Sequence, residues 1–287
     1  MTAASVEVRT ERHRLSAGVT LVADHWGDPA GQAVLFLHGG GQTRHSWGGA
    51  ARAIAARGMY AVTVDLRGHG DSDWNAEGDY QLNTFADDAA ELIVQLGKKP
   101  VAVGASLGGM TAVMLEGDCH PGSISGLVLV DIVPRMNQAG ADRVKEFMLA
   151  NARTGFGSLE EVADAIAAYN PHRRRPSDLK GLKKNLRERN GRWYWHWDPR
   201  FVELGASEPT REVRDPELLS AAMAAISVPV MLIRGRLSDL VTEEGAAAFL
   251  EEYPHAQFVD VSDAGHMVAG DRNDVFTEAV LQFVVSP

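Results

Sequence analysis

The sequence predicts an α/β fold built on a mostly parallel sheet, and three features carry the prediction. Short apolar-rich runs of Val, Ile, Leu and Phe recur along the chain, each too brief for a helix and several of them unbroken by polar residues. Most are separated by helix-length segments with apolar residues at helical spacing. One long stretch without such a run, residues 134–225, interrupts the rhythm once.

Taken in order, residues 19–24 read as a strand that ends at the turn Gly27-Asp28-Pro29. Residues 33–37 are the first fully apolar run and stop abruptly in His38-Gly39-Gly40-Gly41. A helix is expected over 46–57, with Trp47, Ala50, Ala51, Ile54 and Ala55 at helical spacing and Gly58 as its stop. Residues 60–64 form the next buried strand, followed by the glycine-rich loop 65–72. Thr84 reads as the N-cap of a helix reaching Leu96, with Gly97 ending it. A strand at 100–103, a helix at 106–116 and a strand at 127–130 continue the alternation. Within 134–225, helices are expected at 141–150, 158–169 and 216–225. Strands return at 228–233 and 257–261, and an amphipathic helix fits 273–284. The organisation is a core of residues 1–133 and 226–287, with a helical cap of residues 134–225 inserted between two core strands.

Hydrophobic residues make up 45% of the 287, enough for one large core. The net charge of −10 would repel the phosphates of nucleic acids and anionic lipid heads. The N-terminus lacks a basic segment followed by an apolar run, and no stretch reaches the roughly 18 apolar residues of a membrane span. The expectation is a cytoplasmic protein whose partner is a small-molecule substrate, with no nucleic acid and no membrane; a homo-oligomer stays open. The single cysteine, Cys119, excludes an intramolecular disulfide and lies at a helix end, where an inert thiol is expected. No cofactor is expected. There is no phosphate-binding G-x-x-x-x-G-K-[ST] and no Cys/His cluster with metal spacing, and His69 beside Asp71 and Asp73 reads as loop polarity.

Gly104-Ala105-Ser106-Leu107-Gly108 follows a predicted strand and opens a predicted helix. A nucleophile on so sharp a turn takes strained backbone angles, and its neighbours two positions away must be small because the segments cross closely. Ser106 is therefore the candidate nucleophile, and the Leu107 N–H, at a helix N-terminus, a candidate oxyanion donor. A serine hydroxyl needs a base, and His266, after the last predicted strand, is the candidate. Its ring needs an anion to set the tautomer. Asp239, just past the strand at 228–233, fits the chain order Ser, Asp, His. Asp131, at the end of another strand, is the alternative, with Glu243 and Asp263 behind it. The second oxyanion donor is expected from the Gly40 N–H, with Gly41 as the alternative.

These segments resemble the α/β-hydrolase superfamily over nearly the whole chain. The resemblance implies a sheet of about eight strands and a helical cap over the site. It also implies that loop 65–72, a D-x-R-G-x-G-x-S segment, is structural, with Arg67 bracing it. A serine at position 106 fits esterases, lactonases, thioesterases, C–C bond hydrolases and cofactor-free perhydrolases. It does not fit the relatives with aspartate there. The expected activity is cleavage of a small apolar ester through an acyl-enzyme; a C–C hydrolase or perhydrolase and a ligand-binding protein on the same scaffold are the alternatives.

The cap holds Trp193-Tyr194-Trp195-His196-Trp197, three of the chain's six tryptophans. Trp193 and Trp195, with His38, are candidates for the substrate pocket. Nine Lys/Arg fall in residues 171–192 against two Asp/Glu. They are either a solvated face or a guide for a substrate carboxylate.

Overall fold

The computed structural model describes residues 6–169, 175, 179–207, 215–266 and 273–285. Its centre is an eight-stranded sheet in the order β1-β2-β4-β3-β5-β6-β9-β10. The strands are β1 (Val8–Arg14), β2 (Thr20–Trp26), β3 (Ala33–Leu37), β4 (Tyr60–Asp65), β5 (Val101–Ala105), β6 (Gly126–Val130), β9 (Val230–Gly235) and β10 (Gln257–Val261). β1 and β2 run antiparallel to their neighbours, and the other ladders are parallel. The chain thus has the fold that its apolar runs predict.

Period-two alternation within β3 explains the layering. Leu35 and Leu37 face one core with Phe85 and Leu92 of α2 (Leu82–Leu96) and Met110 of α3 (Leu107–Met114). Val34 and Phe36 face the other, with Ile54 of α1 (Gly48–Ala55) and Phe276 of α9 (Asn273–Val285). A strand covered on both faces has no polar position to offer, which is why its sequence does not alternate.

Between β6 and β9 lie α4 (Gln138–Leu149), α5 (Leu159–Tyr169), β7 (Leu186–Arg189), β8 (Arg192–Trp195), α6 (Arg200–Ser207) and α7 (Pro216–Ala225). This stretch is not purely helical, as the sequence reading expected. β7 and β8 form an antiparallel hairpin. Its turn is Asn190-Gly191, with φ of 51° and 72°, the positive-φ pair that such two-residue turns require. That signal was present in the sequence but overshadowed by the charged residues around it. α7 packs on the core: Leu219 and Met223 join it, and a side-chain carbon at Gly117 would lie 2.0 Å from the Ala222 carbonyl oxygen. From α7 the chain enters β9 and then α8 (Glu243–Glu252).

Two smaller expectations also change. β1 is a strand that sequence patterning missed, because six of its seven residues are exposed and it buries only His13. α2 begins at Leu82, not after Thr84, whose hydroxyl instead donates to Asp79 at 2.9 Å. Gly97 ends α2 in the left-handed region, as expected. Among the described residues no helix is long and apolar enough to cross a membrane.

Candidate active site

Parallel strands deliver their following loops to one edge of the sheet, where open α/β folds build sites. Ser106 follows β5, Asp131 follows β6 and His266 follows β10, all at this carboxyl edge. Ser106 sits at φ 46°, ψ −114°, a conformation a non-glycine residue adopts only when its surroundings impose it. The imposition is visible on both sides. A side-chain carbon at Gly108 would lie 2.2 Å from the Leu37 carbonyl oxygen, and one at Gly104 2.4 Å from that of Gly108. The turn closes only because both are glycine.

The ring of His266 is held by Asp131. Its Nδ1 lies 2.7 Å from Asp131 Oδ2. The carboxylate is fully buried and also accepts from the Ser238 hydroxyl at 2.5 Å and the Gly235 N–H at 3.1 Å. Asp131 is itself at φ 50°, a second imposed conformation at the same edge. Gly235 is needed here: a side-chain carbon on it would lie 2.3 Å from the Gly265 carbonyl oxygen, displacing the loop that carries His266.

The expected pairing of His266 with Asp239 is therefore corrected. The Asp239 carboxylate pairs with Arg143 on α4 at 2.9 Å and is more than a third exposed, tying α4 to the loop after β9. Asp131 and Asp239 follow adjacent strands, β6 and β9, and both satisfy the chain order. Only the direction of the side chains separates them.

The loop after β3 approaches the serine, with a side-chain carbon at Gly39 reaching 3.4 Å from Ser106 Cβ. The Gly39 N–H is taken by Gln42 and the Gly41 N–H by His69 Nε2, at 3.3 and 3.2 Å. That commits Gly41, the alternative donor, elsewhere. The Gly40 N–H has no acceptor among the described residues. The Leu107 N–H opens α3, where the first N–H groups have no intrahelical acceptor.

The chain matches the α/β hydrolase family over residues 34–279. The chain belongs to the α/β hydrolase family. It is 32% identical to an esterase of Mycobacterium tuberculosis over 94% of this chain and 88% of that protein. It is 28% identical to a 3-hydroxybutyrate-oligomer hydrolase of Cupriavidus necator, over 87% and 88% of the two chains. The crystal structure of the mycobacterial esterase superposes with a TM-score of 0.75, 30% identity and coverage of 98% and 92%. That of E-2-(acetamidomethylene)succinate hydrolase superposes with a TM-score of 0.83, at 23% identity and coverage of 98% and 100%, and speaks for the fold alone.

In this α/β hydrolase, three buried histidines brace the glycine loop. The Leu66 N–H donates to His38 Nε2, which leaves His38 Nδ1–H to donate to the Gly39 carbonyl at 2.8 Å. His69 accepts from the Gly41 N–H and donates from Nδ1 to the Arg67 carbonyl at 3.0 Å. His196, from the segment after β8, accepts from the Gly70 N–H at 2.7 Å and donates to the Gly41 carbonyl at 3.2 Å. Each ring is neutral because one nitrogen must keep its lone pair. Burial pushes His38 down to about 4, burial and the neighbouring His38 push His69 down to about 3, and burial holds His196 well below the ordinary histidine value. His38, expected in the pocket, is instead this fully buried brace.

Below the unfolded value of about 6.5 the unfolded chain takes up protons that the folded chain refuses. The stability these rings provide is complete above pH 6.5 and is lost as pH falls toward 4 and 3. Each contributes a slope of about 1.4 kcal/mol per pH unit. A His69→Gln variant, compared with the parent by urea unfolding at pH 6, 5 and 4.5, is expected to lose one such slope. An unchanged pH dependence would show that His69 titrates normally.

A cavity of about 410 Å³ lies between the core and the segment inserted between β6 and β9, lined by Leu107, Met110, Met136, Met148, Phe201 and Val202, with Arg135, Lys145, Asp142 and Glu217 among its polar lining residues. Met148 and Phe201 also touch the glycine loop. Trp193 and Trp195 do not line it. Trp195 is buried against Trp197, Phe147 and Phe156, and Trp193 carries Lys183 over its ring. Trp195, the last residue of β8, stacks on Trp197 with ring centroids 4.8 Å apart, and a side-chain carbon at Gly41 would lie 3.2 Å from Trp197. Sequence reading missed Met148 and Phe201 and named His196 and Trp197 only within the aromatic segment 193–197, because residues of the inserted segment announce a site only through what they meet across the fold.

Several basic residues of 171–192 have protein partners: Arg175 with Asp164, Arg187 with Asp71, and Arg192 with the Thr154 and Gly155 carbonyls. Residues 171–174 and 176–178 lie outside the described residues. Arg67, as the resemblance implies, braces: it forms a two-pronged pair with Asp88 at 2.5 and 2.6 Å. The Cys119 thiol is pushed up to about 11 by burial and Asp118, so little thiolate exists at neutral pH.

Proposed function

We propose that this chain is a serine hydrolase that cleaves a small, largely apolar carboxylic ester through an acyl-enzyme. Ser106 acts as nucleophile, His266 as base, Asp131 as its orienting acid, and the N–H groups of Leu107 and Gly40 as oxyanion donors. The observation that carries this reading is the contact between the buried Asp131 and the half-buried His266 at the sheet edge that also bears the strained Ser106. Asp131 accepts a hydrogen bond from Nδ1–H, which keeps the ring proton there, so the Nε2 lone pair of His266 remains to take a proton from the serine. Attack on a carbonyl then forms a tetrahedral oxyanion between the two free N–H groups. His266 returns the proton to the leaving alcohol, and water repeats the sequence on the acyl-enzyme. Relatives named as an esterase and a 3-hydroxybutyrate-oligomer hydrolase support ester as the bond.

The cavity's volume lies toward the lower end of the usual range for ligand sites, and thioether and aromatic walls suit an apolar acyl or alcohol group. Incubation with p-nitrophenyl esters of graded chain length, alongside fluorophosphonate labelling and peptide mass analysis, tests the reading. The expected result is turnover that peaks at short to medium chains, with the label on Ser106. Labelling without turnover of any ester would favour C–C cleavage, perhydrolysis or a binding protein. A label on another residue would displace Ser106.

A further inference from the structure

At the opposite edge of the sheet, the face of β1 and β2 beneath the end of α2 gathers three metal-ligating side chains that the hydrolytic site does not use. Glu11 and His13 are two residues apart on β1 and so share a face. The antiparallel register sets Arg9 opposite His25, which puts His25 on that same face of β2. The Nε2 atoms of His13 and His25 lie 3.0 Å apart, and a Glu11 carboxylate oxygen lies 3.9 Å from His25 Nε2. All three ligand atoms fall within 4.8 Å of one another.

The outer nitrogens are already anchored. His13 Nδ1 contacts Gln95 Oε1 at 3.0 Å, and the Gln95 amide is oriented by its own bond to the Arg14 carbonyl. His13 therefore donates from Nδ1 and carries its lone pair on Nε2. His25 Nδ1 contacts the Tyr60 hydroxyl. This is the support that imidazole ligands of metals receive, with the distal nitrogen held by an oxygen. Two imidazoles on one tetrahedral zinc, each bonded at about 2.0–2.1 Å, stand about 3.3 Å apart, a few tenths wider than here. Both rings are buried, while Glu11 is exposed and gives an ion its way in. Arg9 opposes a cation on this face, and Glu11 supplies the compensating charge.

We propose that Glu11, His13 and His25 form a three-ligand site for zinc or a similar first-row divalent ion, with water as the fourth ligand. Imidazole and carboxylate donors in this number suit such ions. The ion takes the place of the proton now shared between the two Nε2 atoms, while His25 shifts its proton to Nδ1, toward the Tyr60 oxygen. Its consequence is structural. β1 is the edge strand, and the ion would clip it to β2, with Gln95 of α2 in the outer shell. Tyr60 opens β4, whereas the hydrolytic residues follow the far ends of the parallel strands, so the two sites do not share ligands.

The test is zinc titration of the chelator-treated full chain by calorimetry, repeated with cobalt(II) to read its ligand-field absorption. The expected result is one saturable equivalent, an intense tetrahedral-type cobalt spectrum, and a Tm that rises with zinc concentration. Glu11→Gln, at an exposed position that leaves the fold intact, is expected to weaken binding at least tenfold. His13→Gln should abolish it, and His266→Asn should leave it unchanged. Absence of saturable binding, equal binding in Glu11→Gln, or loss of binding in His266→Asn would each overturn the site.

Discussion

Ser106→Ala is expected to lower kcat on the best ester by about 10⁶, the scale on which a triad nucleophile acts. Alanine keeps the Cβ and the backbone demands at φ 46°, so the closely crossed segments at Gly104 and Gly108 should hold and Tm should stay within a few degrees. The glycine loop and the Leu107 N–H also remain, so substrate affinity should change little while chemistry stops. Steady-state kinetics beside a thermal melt separates these effects. Undiminished turnover in a folded variant would mean that another residue attacks the ester.

Asp131→Asn should lower kcat by about 10⁴, whereas Asp239→Asn should change it no more than a few-fold. Asparagine at 131 preserves volume and the acceptor toward Gly235, but its amide offers protons where His266 Nδ1 needs an anion. The ring then prefers the tautomer that carries its proton on Nε2, the nitrogen that must take one from Ser106. Asp239 loses only a half-exposed pair with Arg143, worth about 0–1 kcal/mol. The paired variants are informative because the two aspartates follow adjacent strands and are equivalent by chain order. Inactivity of Asp239→Asn with an active Asp131→Asn would reverse the assignment.

Both predictions concern residues that lie within a few positions of a strand end, and that is where sequence was most legible. Buried parallel strands need apolar-rich runs, so β3, β4, β6 and β9 appear in the sequence with at most a few residues' error at their ends, and the half-exposed β10 shows through Phe258, Val259 and Val261. The turn at Ser106 needs glycines at 104 and 108 for steric reasons, so it too can be read without a structure. β1 escaped because an exposed edge strand carries no hydrophobic signature, and the β7–β8 hairpin because its one turn signal lies among charges.

The sequence by itself determined the α/β class, the order of core and inserted segment, the candidate serine and histidine, and a glycine loop beside them. Each depends on local rules: burial period, strand length, and turns that admit only glycine. The tertiary structure alone decided which aspartate faces His266, which N–H groups of the glycine loop stay free, and that His38, His69 and His196 brace that loop from three segments. It alone decided that Trp195 and Trp197 stack on each other while methionines and Phe201 line the cavity. Glu11 and His13 share a face only because β1 is a strand, which the sequence did not announce, and His25 joins them only through the register of β1 on β2. The physical reason is common to all of these. Side-chain direction and cross-strand register are set by packing between segments distant in the chain, and composition and spacing carry no record of it.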